Sequence, residues 1–419
     1  MIVIVGGGLA GLACAARLEE EGMDWLLLEA GSRAGGRVAT ETTKEGYRLD
    51  AGFQVLLDSY PTARKLIDFS ALQPRYFQSG ALLAAPGGWE RILNPLKHPE
   101  GFLSAILSKS FTWSEKISLA MYAGFQLLRP DQSLQRETGY STLEELERLG
   151  LEGGILESFL RPFFGGVFLD NELGTDASVF RYNLKKFTLG NALLPAEGMA
   201  KIPEYLASRL PAARQRYGEK VTSIHFQDSV VAGVEVDGGE IISCTQLVLA
   251  TDEGATRCLL GLPLGEKWIG VSTLYFTGKE PLYEGSLLVL PAGKDRLVRH
   301  FTDLTNIAPE YAPPGRRLLS ATILNPPTDR SSDLAAMAQA EITRLLPNFK
   351  SWEFLKEIRI TRALPQRQSG YGKGLLPMRF SKNLFLAGDQ IAPVGIESAM
   401  LSGQLVAEEI LTRGILVRS

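Results

Sequence analysis

The stretch Gly6-Gly7-Gly8-Leu9-Ala10-Gly11 decides how the chain is interpreted. An apolar, β-branched run from Ile2 to Val5 precedes it and predicts a strand. The segment from Leu9 to Glu20 follows with the spacing of a helix, and Gly22 fits the end of that helix. A second apolar run, Trp25 to Glu29, predicts the next strand. Strand, glycine turn, helix and strand together predict a βαβ unit of the kind that binds dinucleotides.

Each residue type in this motif has a physical role. Gly6 permits the tight turn, Gly8 lets the backbone approach a pyrophosphate at the helix N-terminus, and Gly11 keeps helix and strand close. Glu29 follows about 20 residues later, where an acidic side chain accepts hydrogen bonds from a ribose. The motif therefore predicts a ligand with an adenosine ribose and a pyrophosphate, and both FAD and NAD meet that description.

Composition excludes several classes of protein. The chain has 419 residues, of which 45% are hydrophobic and 22% are charged, which is ordinary for a globular protein of roughly two to three domains. The formal net charge of −3 is spread without long runs of one sign, so we expect no nucleic-acid partner. Three cysteines, an odd number, without a close pair indicate reduced thiols, and the three scattered histidines predict no metal site.

Two segments of the sequence, at its beginning and in its middle, give expectations about secretion and membrane contact. Met1 leads directly into the first strand without a positively charged start, so we expect no secretory signal. The apolar region from Phe102 to Leu128 is interrupted by Lys109 and other charged residues, so we predict no membrane-spanning helix. Its apolar residues, with lysines between them, fit an interfacial helix, the mouth of a tunnel for a lipid-like substrate, or a helical core segment. We expect a cytoplasmic protein, and an interfacial helix would add peripheral contact with a membrane surface.

The rest of the chain divides by pattern. Sequence from Leu56 to about Leu210 predicts mainly helices, and a β-rich stretch follows, ending in a strand predicted over Glu240 to Ala250. Residues 268–360 mix strands with a helix, which indicates α+β structure. The C-terminal segment has the same kind of pattern as the N-terminal one: a predicted strand, Gly388-Asp389 and a predicted helix rich in small residues. We therefore predict that the two ends form one domain with another inserted between them.

The C-terminal stretch Asn383-Leu384-Phe385-Leu386-Ala387-Gly388-Asp389, followed by residues 395–403, carries a resemblance. With it the chain resembles the flavin-containing amine oxidase superfamily, which includes phytoene desaturase-like enzymes and protoporphyrinogen oxidases. The resemblance implies FAD, with Asp389 on the ribityl-phosphate part and the helix near Ile396 aimed at the flavin ring. A helix N-terminus carries roughly half a positive charge, which suits negative charge on that ring.

Other segments match the same family in order and spacing. Arg37, in the loop after the second strand, supplies a cation for the pyrophosphate. By resemblance, Leu49 to Gln54 runs beside the isoalloxazine, Val221 meets adenine, and the strand end at Ala250 and Thr251 lies near the phosphates. The predicted cofactor-binding residues are Gly6, Gly8, Leu9, Ala10, Gly11, Glu29, Ala30, Gly36, Arg37, Ala51, Gly52, Phe53, Gln54, Val221, Ala250, Thr251, Gly388, Asp389, Gly395, Ile396 and Ala399.

The resemblance implies an α/β fold: a Rossmann-like FAD-binding domain, similar to glutathione reductase, with an inserted α+β substrate domain. We predict the FAD-binding domain over residues 1–80, 195–260 and 360–419, and the substrate domain with its helical cap over 81–194 and 261–359. Gly31 and Ser398 depart from the family pattern, where a basic residue and a glycine are usual. Because no cysteine follows Cys258, FAD should be bound non-covalently rather than through a C-terminal thioether.

The motifs that the sequence lacks argue against some classes of redox enzyme. The chain has one dinucleotide motif and no C-x4-C pair, which argues against an NAD(P)H-dependent or disulfide reductase. We therefore expect electrons to come from the substrate and to pass on to oxygen, a quinone or another acceptor. By resemblance, amine oxidases of this superfamily carry an aromatic side chain at the position of Gly395. The absence of that side chain here favours a larger, apolar small-molecule substrate. The segment from Phe159 to Phe168 resembles a stretch of the desaturase-like members and is predicted to line the substrate cavity.

We therefore expect an FAD-dependent oxidoreductase, of the dehydrogenase or desaturase kind, in which an apolar, isoprenoid-like substrate passes hydride to flavin N5. One alternative is an amine or protoporphyrinogen oxidase that uses oxygen. Another is a redox-neutral flavoprotein, such as an isomerase or a binding module. His300, Arg362 and Tyr371 are candidates for acid–base roles, but their sequence surroundings assign none of them as catalytic.

Overall fold

The computed structural model describes residues 1–85, 88–265, 267–326 and 331–416. The strands are β1 (Ile2–Val5), β2 (Trp25–Glu29), β3 (Thr40–Thr42), β4 (Arg48–Asp50), β5 (Leu56–Leu57), β6 (Pro74–Tyr76), β7 (Gly80–Ala85), β8 (Gly88–Leu93), β9 (Ala192–Pro195), β10 (Gln215–Tyr217), β11 (Val221–Gln227), β12 (Val230–Val236), β13 (Ile241–Ser243), β14 (Gln246–Leu249), β15 (Trp268–Gly278), β16 (Leu288–Pro291), β17 (His300–Asp303), β18 (Arg317–Leu324), β19 (Glu353–Pro365) and β20 (Leu384–Leu386). The helices are α1 (Leu9–Glu20), α2 (Pro61–Leu66), α3 (Pro99–Leu107), α4 (Trp113–Leu128), α5 (Asp131–Leu134), α6 (Thr142–Arg148), α7 (Arg161–Phe168), α8 (Ala177–Leu189), α9 (Lys201–Ser208), α10 (Glu253–Leu259), α11 (Ser331–Leu345) and α12 (Ile396–Leu416).

A five-stranded parallel sheet joins the two ends of the chain. Its strand order is β10-β2-β1-β14-β20, so the N-terminal strand pairs on one side with β2 and on the other with β14. Every residue of β1 is buried, as expected for a parallel sheet covered on both faces. α1 and α12 pack closely, since a Cβ on Gly403 would lie 2.0 Å from the carbonyl oxygen of Ala10. The predicted Rossmann-like α/β fold is confirmed.

One predicted strand is two strands in the structure. The sequence predicts a single strand over Glu240 to Ala250, whereas β13 and β14 are separated at Cys244 and Thr245. β13 pairs with β12 in a three-stranded antiparallel sheet, and β14 pairs with β1 in the parallel sheet. The chain therefore passes from one sheet to the other within this segment, and a continuous apolar pattern does not reveal that change of partner.

A second large sheet contains seven strands in the order β19-β15-β18-β17-β16-β7-β8. Adjacent strands in this sheet are antiparallel, except that β16 and β7 run parallel. One face packs against α11 through apolar side chains such as Leu274, Ala321 and Ile323. The other face carries Thr322 and His300, which line the cavity described below.

The prediction of mainly helical structure between Leu56 and Leu210 is partly wrong. Helices α2 to α9 occur there, but β5, β6 and β9 form a small sheet, and β7 and β8 form an edge of the seven-stranded sheet. β7 pairs with β16, about two hundred residues away, so its partner gives no local signal.

The domain boundaries given above remain a prediction. Within the described part of the chain, no helix combines the length and the apolar character needed to cross a bilayer.

Candidate active site

A cavity of about 1380 Å³ runs between the parallel sheet and the seven-stranded sheet. Gly8 from the first turn and Asp389 from the C-terminal segment both line it, although they are far apart in sequence. Of the predicted cofactor-binding residues, all except Gly11 are among those that line this cavity. The structure thus brings the two ends of the chain to one site.

The glycine turn forms an open cradle at the N-terminus of α1. Gly6 has a φ of +110°, and a Cβ there would lie 2.7 Å from the carbonyl oxygen of Ala250, so only glycine fits. Gly8 is the N-cap of α1 with ordinary extended angles, and a Cβ on it would meet no atom of the described residues within 4 Å. That space lies beside unpaired helix amides, which suit a phosphate group. A Cβ on Gly11 would lie 1.9 Å from the carbonyl oxygen of Gly6, so Gly11 serves packing.

Glu29 lies at the end of β2 and also lines the cavity. Its two carboxylate oxygens accept hydrogen bonds from the backbone amides of Gly7 at 2.6 Å and Gly31 at 2.8 Å. These bonds fix the carboxylate beside the glycine turn. Each oxygen keeps a further lone pair, so the carboxylate retains the capacity to accept a ribose hydroxyl.

An ion pair joins the loop after β2 to the C-terminal segment. The Arg37 guanidinium donates to the carboxylate of Asp389 and, at 2.9 Å, to the carbonyl oxygen of Ala363. Asp389 is 3% exposed, and its carbonyl oxygen accepts a hydrogen bond from Arg367. Arg367 also pairs with buried Glu253 at 3.1 Å. Arg37 and Asp389 both line the cavity, so the pair brings together the two residues predicted to bind the pyrophosphate and the ribityl part of the cofactor.

Asp50, in the predicted segment from Leu49 to Gln54, is held by distant parts of the chain. Its carboxylate accepts hydrogen bonds from the Met199 amide at 2.9 Å and from the Tyr311 hydroxyl at 2.8 Å. Burial raises the pKa of Asp50 to about 6, although these hydrogen bonds oppose the shift. The following residues, Ala51 to Gln54, line the cavity. The contacts of Asp50 therefore hold the segment that was predicted to run beside the isoalloxazine.

The flavin end of the site offers a free acceptor and a helix terminus. Gln54 donates from its side-chain amide to the carbonyl oxygens of Arg37 and Ala51, both at 3.1 Å, while its Oε1 is buried without a partner among the described residues. Gly395 precedes α12 with a φ of +145°, and a Cβ there would meet no described atom within 4 Å. The first residues of α12, Ile396 to Ala399, line the same cavity, and the first amides of a helix have no partner within it. These features fit FAD.

Beyond Phe53 the cavity continues into an apolar chamber. α4, α7, α8 and the seven-stranded sheet supply its walls. The predicted segment from Phe159 to Phe168 lines it, and the Phe163 ring lies 5.8 Å from that of Phe159 and 5.0 Å from that of Phe187. Ala120 and Gly124 of α4 line the chamber and are also exposed, so the chamber opens at α4.

Comparisons with known proteins agree with this geometry. The model of the flavin containing amine oxidoreductase family matches residues 9–411.

The chain belongs to this family.

It is 24% identical to the 15-cis-phytoene desaturase of Synechococcus elongatus, over 98% of this chain and 96% of that relative. Among solved structures, it is similar to an oxidoreductase from Methanosarcina mazei, with a TM-score of 0.76 and 19% identity over 97% of this chain and 99% of that one. A second similar structure is a putative protoporphyrinogen oxidase from an Exiguobacterium species, with a TM-score of 0.70 and 20% identity over 98% of each chain. The protein is an FAD-dependent oxidoreductase, as the sequence predicts.

The three acid–base candidates of this oxidoreductase lie in different places. His300 lines the chamber, whereas Arg362 and Tyr371 are not among the lining residues. Burial, with a contribution from the Arg299 charge, lowers the pKa of His300 to about 3, so its imidazole is neutral. Its ring lies 4.8 Å from that of Phe53. The structure places His300 in the chamber and gives no role there to the other two.

Sequence reasoning missed three residues of the site. Tyr60 and Tyr182 line the chamber beside Glu397, and burial raises the pKa of both phenols well above the ordinary value. Arg367 lines the cavity and binds the backbone of Asp389. The tyrosines lie in no recognisable motif, and the role of Arg367 depends on Glu253 from a distant helix. The sequence carries no local signal for any of the three.

Proposed function

We propose that this oxidoreductase dehydrogenates an apolar, isoprenoid-like substrate. The observation that carries the proposal is the chamber beyond Phe53, which is lined mainly by aliphatic and aromatic side chains and is continuous with the predicted FAD site. FAD, when bound, supplies an acceptor for a hydride. The likeness to a 15-cis-phytoene desaturase over nearly the whole chain supports the same substrate class.

The chain's own residues would bind and orient the substrate. Aromatic rings of α7 and α8, including Phe163 and Phe187, form an apolar wall that excludes water. Gly395 leaves open space where an amine oxidase would carry an aromatic side chain. An extended apolar molecule could therefore lie along the chamber with one end near Phe53. The same open space argues against a small amine as the substrate.

Anaerobic reduction of the bound flavin tests this proposal. Holoenzyme is mixed without oxygen with each candidate substrate in turn: isoprenoid polyenes in detergent micelles, simple amines and porphyrinogens. The flavin absorbance is followed after mixing. We expect bleaching by the apolar polyenes and reoxidation by a quinone or oxygen. Rapid bleaching by an amine or a porphyrinogen, with hydrogen peroxide formed on exposure to oxygen, would support the oxidase alternative. Conversion of a substrate without net electron transfer would support the redox-neutral alternative.

We further propose that the enzyme takes its substrate from a lipid bilayer. α4 carries exposed apolar side chains beside the opening of the chamber, and α3, whose Ile106 carbonyl oxygen accepts a hydrogen bond from Lys116 of α4, carries others. This exposure disfavours the interpretation of the region as a helical core segment. We call this surface the apolar face; its residues are Leu96, Phe102, Ile106, Leu107, Trp113, Ile117, Met121, Phe125 and Leu128. Exposed apolar patches of this kind mark interaction surfaces. Because the chamber opens within the patch, a bilayer could deliver a lipid-like substrate without transfer through water.

Phe125→Glu should weaken vesicle binding about tenfold, because it removes the membrane burial of one aromatic ring and adds a charge. Co-sedimentation with phosphatidylcholine–phosphatidylglycerol vesicles measures the effect. The matched control is Phe226→Glu, since Phe226 is similarly exposed but lies on β11, outside the apolar face. Equal loss in both variants, or no loss in either, would contradict membrane contact through this face.

A further inference from the structure

A row of polar side chains crosses the cavity side of the seven-stranded sheet. Thr273 on β15 lies directly opposite Thr322 on β18, and Thr322 lies directly opposite His300 on β17. Directly opposite residues of antiparallel strands share a face, and Ser320 joins them because it is two residues from Thr322. We call these four side chains the polar row. Each is at most 3% exposed.

The polar row lacks hydrogen-bond partners within the described residues. This holds for the hydroxyls of Thr273, Ser320 and Thr322 and for both ring nitrogens of His300. Neighbouring hydroxyls on the same face are paired, since Thr302 donates to the carbonyl oxygen of Leu287 at 3.1 Å. Buried polar side chains in proteins are nearly always paired, and His300 and Thr322 line the chamber, so a molecule bound in the chamber is positioned to supply partners for these two.

The position of the row identifies where that partner would lie. His300 and Thr322 line the chamber, and the His300 ring contacts Phe53, at the junction between the chamber and the predicted flavin segment. Nδ1 of His300 faces α7, where a Cβ on Gly166 would lie 2.6 Å from it. Because the imidazole is neutral, His300 offers one donor and one acceptor, and the Thr322 hydroxyl offers both. The row therefore suits a neutral oxygen-bearing group.

We propose that the polar row, through His300 and Thr322, binds a hydroxyl or carbonyl group on an otherwise apolar substrate. This inference rests on the proposed function and names its substrate class more narrowly, as an oxygenated apolar molecule rather than a pure hydrocarbon. A hydrocarbon in the chamber leaves the row unpaired, whereas a hydroxyl or carbonyl near Phe53 satisfies part of it. A site with buried polar groups discriminates strongly against a ligand that lacks the matching group.

Binding of matched probes to the holoenzyme tests the inference. Dodecane, dodecan-1-ol and dodecan-2-one are delivered in the same detergent micelles, and binding is followed by perturbation of the flavin spectrum and by the shift in Tm. We expect the alcohol or the ketone to bind on the order of tenfold more tightly than the alkane. His300→Phe and Thr322→Val should each reduce that preference severalfold, while His300→Gln, which keeps a donor and an acceptor, should retain most of it.

Thr302→Val is the control, because it removes a paired hydroxyl from the same face outside the lining residues. It should leave the preference unchanged. If all three probes bind equally, or if the preference survives both His300→Phe and Thr322→Val, the inference is overturned and the proposed apolar substrate stands. If no probe binds although FAD is present, the inference and the proposed function both fail. Two separate positions keep the test decisive if one variant does not fold.

Discussion

Gly8→Ala is expected to weaken FAD binding at least about tenfold while leaving the Tm of the apoprotein unchanged. Gly8 has ordinary extended backbone angles, and a Cβ there would lie more than 4 Å from every atom of the described chain, so we expect no strain in the apoprotein. The methyl group would instead occupy the cradle at the N-terminus of α1, where the backbone must approach a pyrophosphate. Titration of apoprotein with FAD, followed by quenching of flavin fluorescence, measures the affinity, and calorimetry measures the Tm.

Gly11→Ala separates the two roles of the same motif. Its Cβ would lie 1.9 Å from the carbonyl oxygen of Gly6, and Gly11 is not among the cavity-lining residues. We expect it to lower the stability of the apoprotein by roughly 1–3 kcal/mol, because helix and strand must move apart. If Gly8→Ala lowers the apoprotein Tm as much as Gly11→Ala does, the turn has only a structural role. If Gly8→Ala leaves FAD affinity unchanged, the pyrophosphate does not lie at this cradle.

The FAD end of the site was largely predictable because its determinants are local. Strand, glycine turn, helix and acidic residue occur within the first 29 residues, and each has a characteristic sequence pattern. The meeting of the two chain ends followed from the resemblance, and the ion pair between Arg37 and Asp389 joins residues that were predicted to bind the same molecule. Here local pattern and tertiary structure agree.

The substrate end was less predictable because strands from distant parts of the chain assemble it. The polar row combines residues of β15, β17 and β18. Polar residues of β18 alternate with Leu319, Ala321 and Ile323 on the opposite face, but that alternation does not show which other strands contribute to the row. β7 joins the same sheet through β16, although its surroundings in sequence are helical. Burial also decides the state of His300, since an isolated histidine in a sequence gives no indication that its pKa falls.

Gly124→Trp is expected to lower kcat/KM for an apolar substrate at least about tenfold, a barrier increase of about 1.4 kcal/mol, without changing the FAD content. Gly124 is exposed and lines the chamber where it opens, and among the residues that the structure describes a Cβ there would meet no atom within 4 Å. The fold should therefore tolerate the substitution, while the indole obstructs the opening. Reduction of the flavin by dithionite, a small soluble reductant, should remain unaffected, which separates blocked substrate entry from damage to the flavin site.

Met121→Trp is the matched control for entry at α4. Met121 is 71% exposed on the same helix and is not a lining residue, so an indole there extends the apolar face without obstructing the chamber. We expect kcat/KM to stay within about twofold of the parent value, because the indole lies outside the chamber lining and a surface substitution of this kind changes stability little. Equal rates for Gly124→Trp and Met121→Trp would show that the substrate enters elsewhere. A loss in both, accompanied by weaker vesicle binding, would instead assign the effect to the apolar face.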